Sequence, residues 1–176
     1  YPHWEYPHYV SVYKDEHYEV FENTHALPRF FLASQYLVTQ NDEEAIATLL
    51  DERFDAKNTI VLEKIPGIEP QKGEGDIRLS RNTPNELVFD VKTSVPKLFY
   101  LSDTFDPGWR ATIDGAPSEL YRANYDFRAV AVPAGSHTLR MYYWPQSLTM
   151  GLGISALSFF GILAWMTKNY YDHRHL

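Results

Sequence analysis

The densest collection of side chains able to bind or react lies in Asp106–Trp144, where Asp106, Trp109, Asp114, Arg128 and His137 fall within a single run. Carboxylates, a guanidinium, an imidazole and an indole suit either proton transfer or recognition of a polar ligand. Spacing argues against catalysis, because no Ser/His/Asp set, paired carboxylates or metal-ligand pattern stands out. His137 is a lone histidine in an alternating strand, which reads as a hydrogen-bonded core or interface residue. His3 and His8 lack a carboxylate or third histidine at metal spacing. Asp42, Glu43 and Glu44 fall in the first turn of a helix, where acids complement the dipole. The chain has no cysteine, so thiolate chemistry and disulfides are absent. No catalytic residue and no metal ligand is assigned.

The elements that must carry these residues are strands. Aromatics make up 15% of the 176 residues, and turn signals recur every eight to twelve residues or so, as in a sandwich or barrel. Asp106-Pro107-Gly108 is a turn in which Pro fixes φ and Gly is free to take φ > 0. Asp114-Gly115 is the strongest hairpin signal, and Ala123-Asn124-Tyr125 and Pro133-Ala134-Gly135 turn the chain again. Between them run Trp109–Ile113, Ser118–Arg122, Phe127–Val132 and Ser136–Trp144. In the last, His137, Leu139, Met141 and Tyr143 share one face. Upstream, Glu86–Thr93 puts Leu87, Phe89 and Val91 on one face, Lys97–Ser102 follows it, and Asp76–Arg81 and Thr59–Glu63 are shorter strands. Glu19–Val38 reads as a β–turn–β unit, and Asn41, as N-cap with Glu44 three residues on, starts a short helix whose apolar face is Ala45, Ile46, Leu49 and Leu50. Ile65–Gly75 is a loop with little to bury.

After Pro145 the period changes. Leu148–Met166 is a stretch of about nineteen residues without a charge, enough at ~1.5 Å each to cross the ~30 Å hydrocarbon core. Tyr142, Tyr143 and Trp144 before it, with Trp165, Tyr170 and Tyr171 after it, occupy interface positions. Gly151, Gly153, Ser155, Ala156 and Gly161 keep the helix slim, suited to packing against other membrane helices. Lys168 and Arg174 favour a cytoplasmic C-terminus and an external β-domain. A net charge of −7, with no basic cluster, argues against nucleic acid as a partner. The expected fold is therefore mainly β: an antiparallel, jelly-roll-like β-sandwich with one short helix, then a transmembrane helix. The expected divisions are an aromatic, Pro-rich arm at 1–16, the sandwich at 17–145, the membrane helix at 146–167 and a short tail at 168–176. The opening YPHWEYPHYV has neither a basic start nor an apolar core, and reads as the start of a fragment or processed chain.

Three stretches carry a resemblance. FDPGWRATIDG (105–115), YRANYDFRAVAVPAGSHTLRMYYWP (121–145) with the apolar helix after it, and YEVFENTHALPRFF (18–31) resemble the C-terminal end of the YfhO-like bacterial membrane protein family. The resemblance implies a polytopic membrane protein of the GT-C glycosyltransferase type. Such proteins transfer a sugar from a polyprenyl-phosphate carrier to a cell-envelope acceptor outside the cytoplasmic membrane. The family's many membrane helices and its catalytic acid, expected on an early external loop, do not lie in residues 1–176. The segment would then be a non-catalytic external domain with a final helix, holding no cofactor itself, with the membrane and other helices of the parent protein or complex as partners. Within that picture Trp109, Tyr121, Tyr125 and Arg128, with Asp106 and Asp114, are first architectural. Their functional reading is a groove that stacks rings on sugar faces and bonds hydroxyls. A tethered carbohydrate-binding module and a structural subunit of a membrane complex are the alternatives.

Overall fold

The computed structural model describes residues 8–172, with side chains as far as Tyr170. The first seven residues, with His3, and the end of the tail, with Arg174, lie outside the described residues. The chain begins with β1 (Tyr9–Lys14) and β2 (Glu19–Asn23), which pair only with each other as an antiparallel hairpin. Glu19–Val38 is thus not one β–turn–β unit, and part of the expected arm is a strand. The difference follows from reach: β2 finds its partner across a four-residue turn, whereas the next strand is drawn into a distant sheet.

That strand, β3 (Phe30–Ala33), pairs antiparallel with β8 (Lys97–Leu101). It is followed by β4 (Gln35–Val38), α1 (Asp42–Leu49) and β5 (Thr59–Leu62). β4 and β5 are parallel, Gln35 opposite Thr59 and Val38 opposite Leu62, so the sheet is not wholly antiparallel. A parallel pair needs a crossover, and the short helix supplies it. The expected cap is present: Asn41 accepts the Glu44 backbone N–H at 2.8 Å, and the Glu44 carboxylate accepts that of Gln40 at 2.8 Å.

The remaining strands are β6 (Gly75–Thr83), β7 (Glu86–Thr93), β9 (Trp109–Ile113), β10 (Ala116–Ser118), β11 (Leu120–Ala123), β12 (Phe127–Val132) and β13 (Gly135–Tyr143). They complete two sheets, one ordered β10-β9-β13-β7-β6 and the other β3-β8-β12-β11-β5-β4. The alternation read in β7 and β13 is realised. Leu87, Phe89 and Val91 are buried with Leu139 and Met141, and across from them lie Phe99, Leu101, Val130 and Val132. Phe89 is the hub, its ring 4.7 Å from Phe99 and 5.2 Å from Phe30.

A second core lies on the other face of the six-stranded sheet. There Ile60, Leu62, Leu98, Tyr100, Tyr121, Ala123 and Ala129 are buried. The long loop before β6 reaches this face: Pro66 is buried, the Gly67 N–H donates to the Tyr121 hydroxyl at 3.2 Å, and the Gln71 N–H donates to Pro96 O at 2.9 Å. The expectation that this loop has little to bury holds for its side chains, of which Pro66 alone is fully buried; its hold on the sheet comes from backbone donors. Its few apolar residues and its backbone donors complete a third layer together with α1, whose Ala45 is buried. A sheet covered on both faces explains why every residue of β5 and β8 is buried.

The turns obey their chemistry. Asp114 and Gly115 have φ of 51° and 82°, and Ile113 stands opposite Ala116. This is the two-residue hairpin in which both central residues need positive φ. Asn124 and Tyr125 also take positive φ, 46° and 76°. For Asn124 the cost is offset by bonds to β5, its Oδ1 accepting the Val61 N–H at 2.8 Å and its own N–H donating to Val61 O at 2.8 Å.

β13 leads through Trp144 and Pro145 into α2 (Gln146–Asp172), which runs five residues beyond the expected end. Within its stretch Gln146–Tyr170, an 18-residue window reaches a mean hydropathy of 1.7 and none of that window is buried within the protein. At ~1.5 Å per residue it is long enough to cross a bilayer with some tilt.

Because Phe89 touches both sheets, Phe89→Ala should destabilise the sandwich by about 3–5 kcal/mol. Chemical denaturation followed by tryptophan emission measures this. A loss under ~1 kcal/mol would show that the two sheets do not share one packed core.

Candidate functional site

The six residues read as a ligand groove occupy three separate places. The first is the end of the sandwich from which the chain leaves for the membrane. Trp109 stands opposite Tyr143, three residues before α2, and their rings are 5.5 Å apart. Arg128 projects from β12 beneath Trp109, its guanidinium carbon 4.0 Å from the ring centroid. Its side chain is 4% exposed, so a charge partner is needed. Asp103 provides it, accepting from Arg128 Nη2 at 3.2 Å, while the Asp103 backbone O accepts from Nε at 3.3 Å.

The same carboxylate takes a bidentate pair of bonds from Arg29, both at 2.8 Å. Two guanidinium groups therefore share one acid. The Arg29 hydrogen bonds, more than any other influence, hold the Asp103 carboxyl below its ordinary range, while burial lowers the pKa of Arg128. Arg128 Nη1 is buried without a hydrogen-bond acceptor among the described residues. The indole face compensates; a desolvated cation–π contact is worth about 2 kcal/mol or more.

Asp106 belongs to the same end but is committed to its turn, Oδ1 accepting the Gly108 N–H at 2.6 Å. A Cβ on Gly108 would lie 2.6 Å from the Tyr143 ring, so only glycine fits there. These three residues together brace strand ends.

The second place is the opposite end. Asp114 accepts the Thr138 N–H at 2.8 Å and stands 2.7 Å from His137 Nδ1. His137 Nε2 lies 3.3 Å from Ala134 O. The hydrogen bond to Asp114 raises the imidazole pKa, and the same bond lowers that of the carboxyl. His137 is a clip between two hairpin turns, in keeping with its reading as a hydrogen-bonded residue.

The third place is the outer face of the six-stranded sheet. Tyr121 is buried under the long loop, its hydroxyl bonded to Gly67, and burial raises its pKa. Tyr125 is exposed at the β11–β12 turn, 5.2 Å from the Arg122 guanidinium. Arg122 in turn pairs with Glu63 at 2.6 Å and Asp42 at 3.2 Å. The two residues border a cavity of about 300 Å³ beside the N-terminus of α1.

A larger cavity lies elsewhere, and the sequence had no residue assigned to it. It holds about 810 Å³ between β4, the segment after α1 and the long loop, with Tyr36, Phe54, Gln35 and Glu69 among its lining. Two further acids there are already engaged. Asp51 forms a two-point pair with Arg53 at 2.7 and 3.0 Å, and Asp55 bonds Asn58 Nδ2 at 2.8 Å. Gln35 Oε1 already accepts from Thr59 Oγ1 at 3.3 Å, which leaves the two rings and the Glu69 carboxylate to meet a hydrogen-bonding ligand with a flat apolar face. The lining comes from four chain segments assembled by the parallel β4–β5 pairing, so no local spacing could have pointed to it. Among the described residues no group of three His, Cys, Asp or Glu could hold a metal ion.

Residues 70–155, from the end of the long loop through the sandwich and into α2, match the family model described as bacterial membrane protein YfhO. No curated protein and no solved structure matches the chain.

A testable consequence concerns the distal clip. The raised His137 pKa contributes stability that is fully present below the unfolded value near 6.5 and is lost as pH rises through the folded value. Imidazole NMR titration should place His137 above 6.5 and return it toward that value in Asp114→Asn. A wild-type imidazole titrating at or below 6.5 would contradict the clip.

Proposed function

We propose that this YfhO-like membrane-protein segment is the non-catalytic, extracytoplasmic accessory domain of a glycosyltransferase. The parent enzyme would transfer sugar from a polyprenyl-phosphate carrier to a cell-envelope acceptor. The observation that carries the reading is continuity: the family match crosses from the sandwich into a helix long and apolar enough to span a membrane. Only two residues, Trp144 and Pro145, separate the sandwich from that helix. Such a short tether suits a domain that works at the membrane surface, positioning an acceptor or covering a membrane-embedded site. The acids and histidine most suited to chemistry, Asp103, Asp106, Asp114 and His137, are occupied by structural bonds.

The test is made in the parent protein, with Phe30–Tyr143 replaced by a flexible linker and insertion checked separately. Transfer of labelled sugar from polyprenyl phosphate is then followed against acceptor concentration. Acceptor use should weaken while turnover persists. Unchanged transfer would remove the accessory role, and loss of turnover at every acceptor concentration would place a catalytic group in the sandwich.

A second reading, a tethered carbohydrate-binding module, is favoured by the 810 Å³ cavity with its Tyr36 and Phe54 rings. Here the expected outcome is that Phe54→Ala weakens glycan binding about tenfold, the order set by one lost stacking contact of ~1–1.5 kcal/mol. Trp109→Ala, by contrast, acts through stability. Calorimetric titration with envelope glycans checks this, and binding that survives Phe54→Ala and Tyr36→Ala unchanged excludes the cavity.

A further inference from the structure

Lys97 opens β8 at the end of the sandwich away from the membrane helix. It alternates in phase with Phe99 and Leu101, whose side chains fill the space between the sheets. Lys97 is only 4% exposed. A buried ammonium is costly unless it is paired. The other buried cation, Arg128, meets that requirement with Asp103, but Lys97 has no carboxylate in ion-pair contact among the described residues. Its one hydrogen bond there runs from Nζ to Ser34 Oγ at 2.7 Å, and Ser34 is itself 7% exposed. An ammonium has three N–H donors, so two are left to fill. Burial lowers the Lys97 pKa, in keeping with an amine lacking compensation.

The lysine also lines a cavity. An open cleft of about 310 Å³ lies where β3 and β6, the edge strands of the two sheets, face each other, with Phe30, Leu32, Ile77 and Asp76 among the lining. Gly75 forms part of the wall, and a Cβ there would meet Leu32 Cδ1. The volume lies at the lower end of the range for small-molecule sites. One cation with spare donors beside Phe30, Leu32 and Ile77, in a lining of mixed polarity, is the chemistry that holds an anionic group on an apolar body.

We propose that this cavity binds a small amphiphilic oxyanion, a carboxylate or phosphate group on an apolar body. The oxyanion accepts hydrogen bonds from Lys97 Nζ, and the body packs on Phe30, Leu32 and Ile77. Ser34 is a positioning residue that holds the ammonium in place. The rival account makes Asp76, in the same cavity wall, the counter-ion that swings onto Lys97 in solution.

The test uses the full chain in detergent micelles, titrated with hexanoate, hexyl phosphate, acetate and inorganic phosphate at constant ionic strength. Binding is read from melting temperature and from amide NMR shifts. Saturable binding is expected for at least one six-carbon probe, tighter than for its bare anion, with shifts centred on Leu32, Gly75 and Lys97. Which six-carbon probe binds identifies the head group. Lys97→Met should weaken binding at least about tenfold, the factor that one charge-assisted hydrogen bond sets, and Asp76→Asn should leave it equal or tighter. No saturable binding by any probe overturns the proposal, as does equal binding in Lys97→Met. Loss of both binding and stability in Asp76→Asn assigns Lys97 to Asp76 and overturns it as well. The wild-type shift map decides the matter if Lys97→Met does not fold.

Discussion

The junction between sandwich and membrane depends on one shared carboxylate. Asp103 receives Arg29 from the approach to β3 and Arg128 from β12, and Arg128 carries Trp109 of β9 on its other side. Trp109 in turn packs on Tyr143, just before the helix. Both sheets and the anchor therefore meet through one acid and one indole. A buried guanidinium cannot be left unpaired, since breaking such a pair costs far more than the pair itself contributes. The strand ends are thereby held in one arrangement, and the helix leaves a rigid base.

Away from that base, the six-stranded sheet sets the second constraint. Its outer face is apolar along β5, β8, β11 and β12, and water contact there would forfeit ~25 cal/mol for each Å² left open. The long loop and α1 close that face with little regular structure of their own. The loop's Lys64 reaches Glu119 at the start of β11, and Gly67 caps the Tyr121 hydroxyl. Irregular cover leaves gaps that strands would not, and the two cavities near α1 lie in this layer. Cavities and structural cover are made by the same segments here.

Much of the β-domain was legible from residue order. Leu87, Phe89 and Val91 of β7, and Leu139 and Met141 of β13, have the period of two that buries one face. Asp114-Gly115 admits one tight turn chemistry, and Asn41 with Glu44 marks a helix start. The uncharged run after Pro145 is long enough for a spanning helix by length alone. Less legible was the role of the loop at Ile65–Gly75 as cover, because its bonds go to Tyr121 and Pro96, on a face built from strands far along the chain. The hairpin β1–β2 was missed for the opposite reason: its strands satisfy each other locally, yet β2 also has the character of a partner for β3.

The sequence by itself determined most strands of the sandwich, its tight turns, the capped helix and the membrane-length helix, because each is written in neighbouring residues. Tertiary structure alone decided the parallel β4–β5 pair, the sharing of Asp103 by two arginines, the burial of Lys97 against Ser34, and the dispersal of Trp109, Asp114 and Tyr121 to three separate places. Such features follow from which strands become neighbours, and that choice minimises exposed apolar area over the whole sheet. Strand periodicity says which face of a residue is buried, but two strands with the same alternation are equally good partners for a third. The packing of both sheets together breaks that tie.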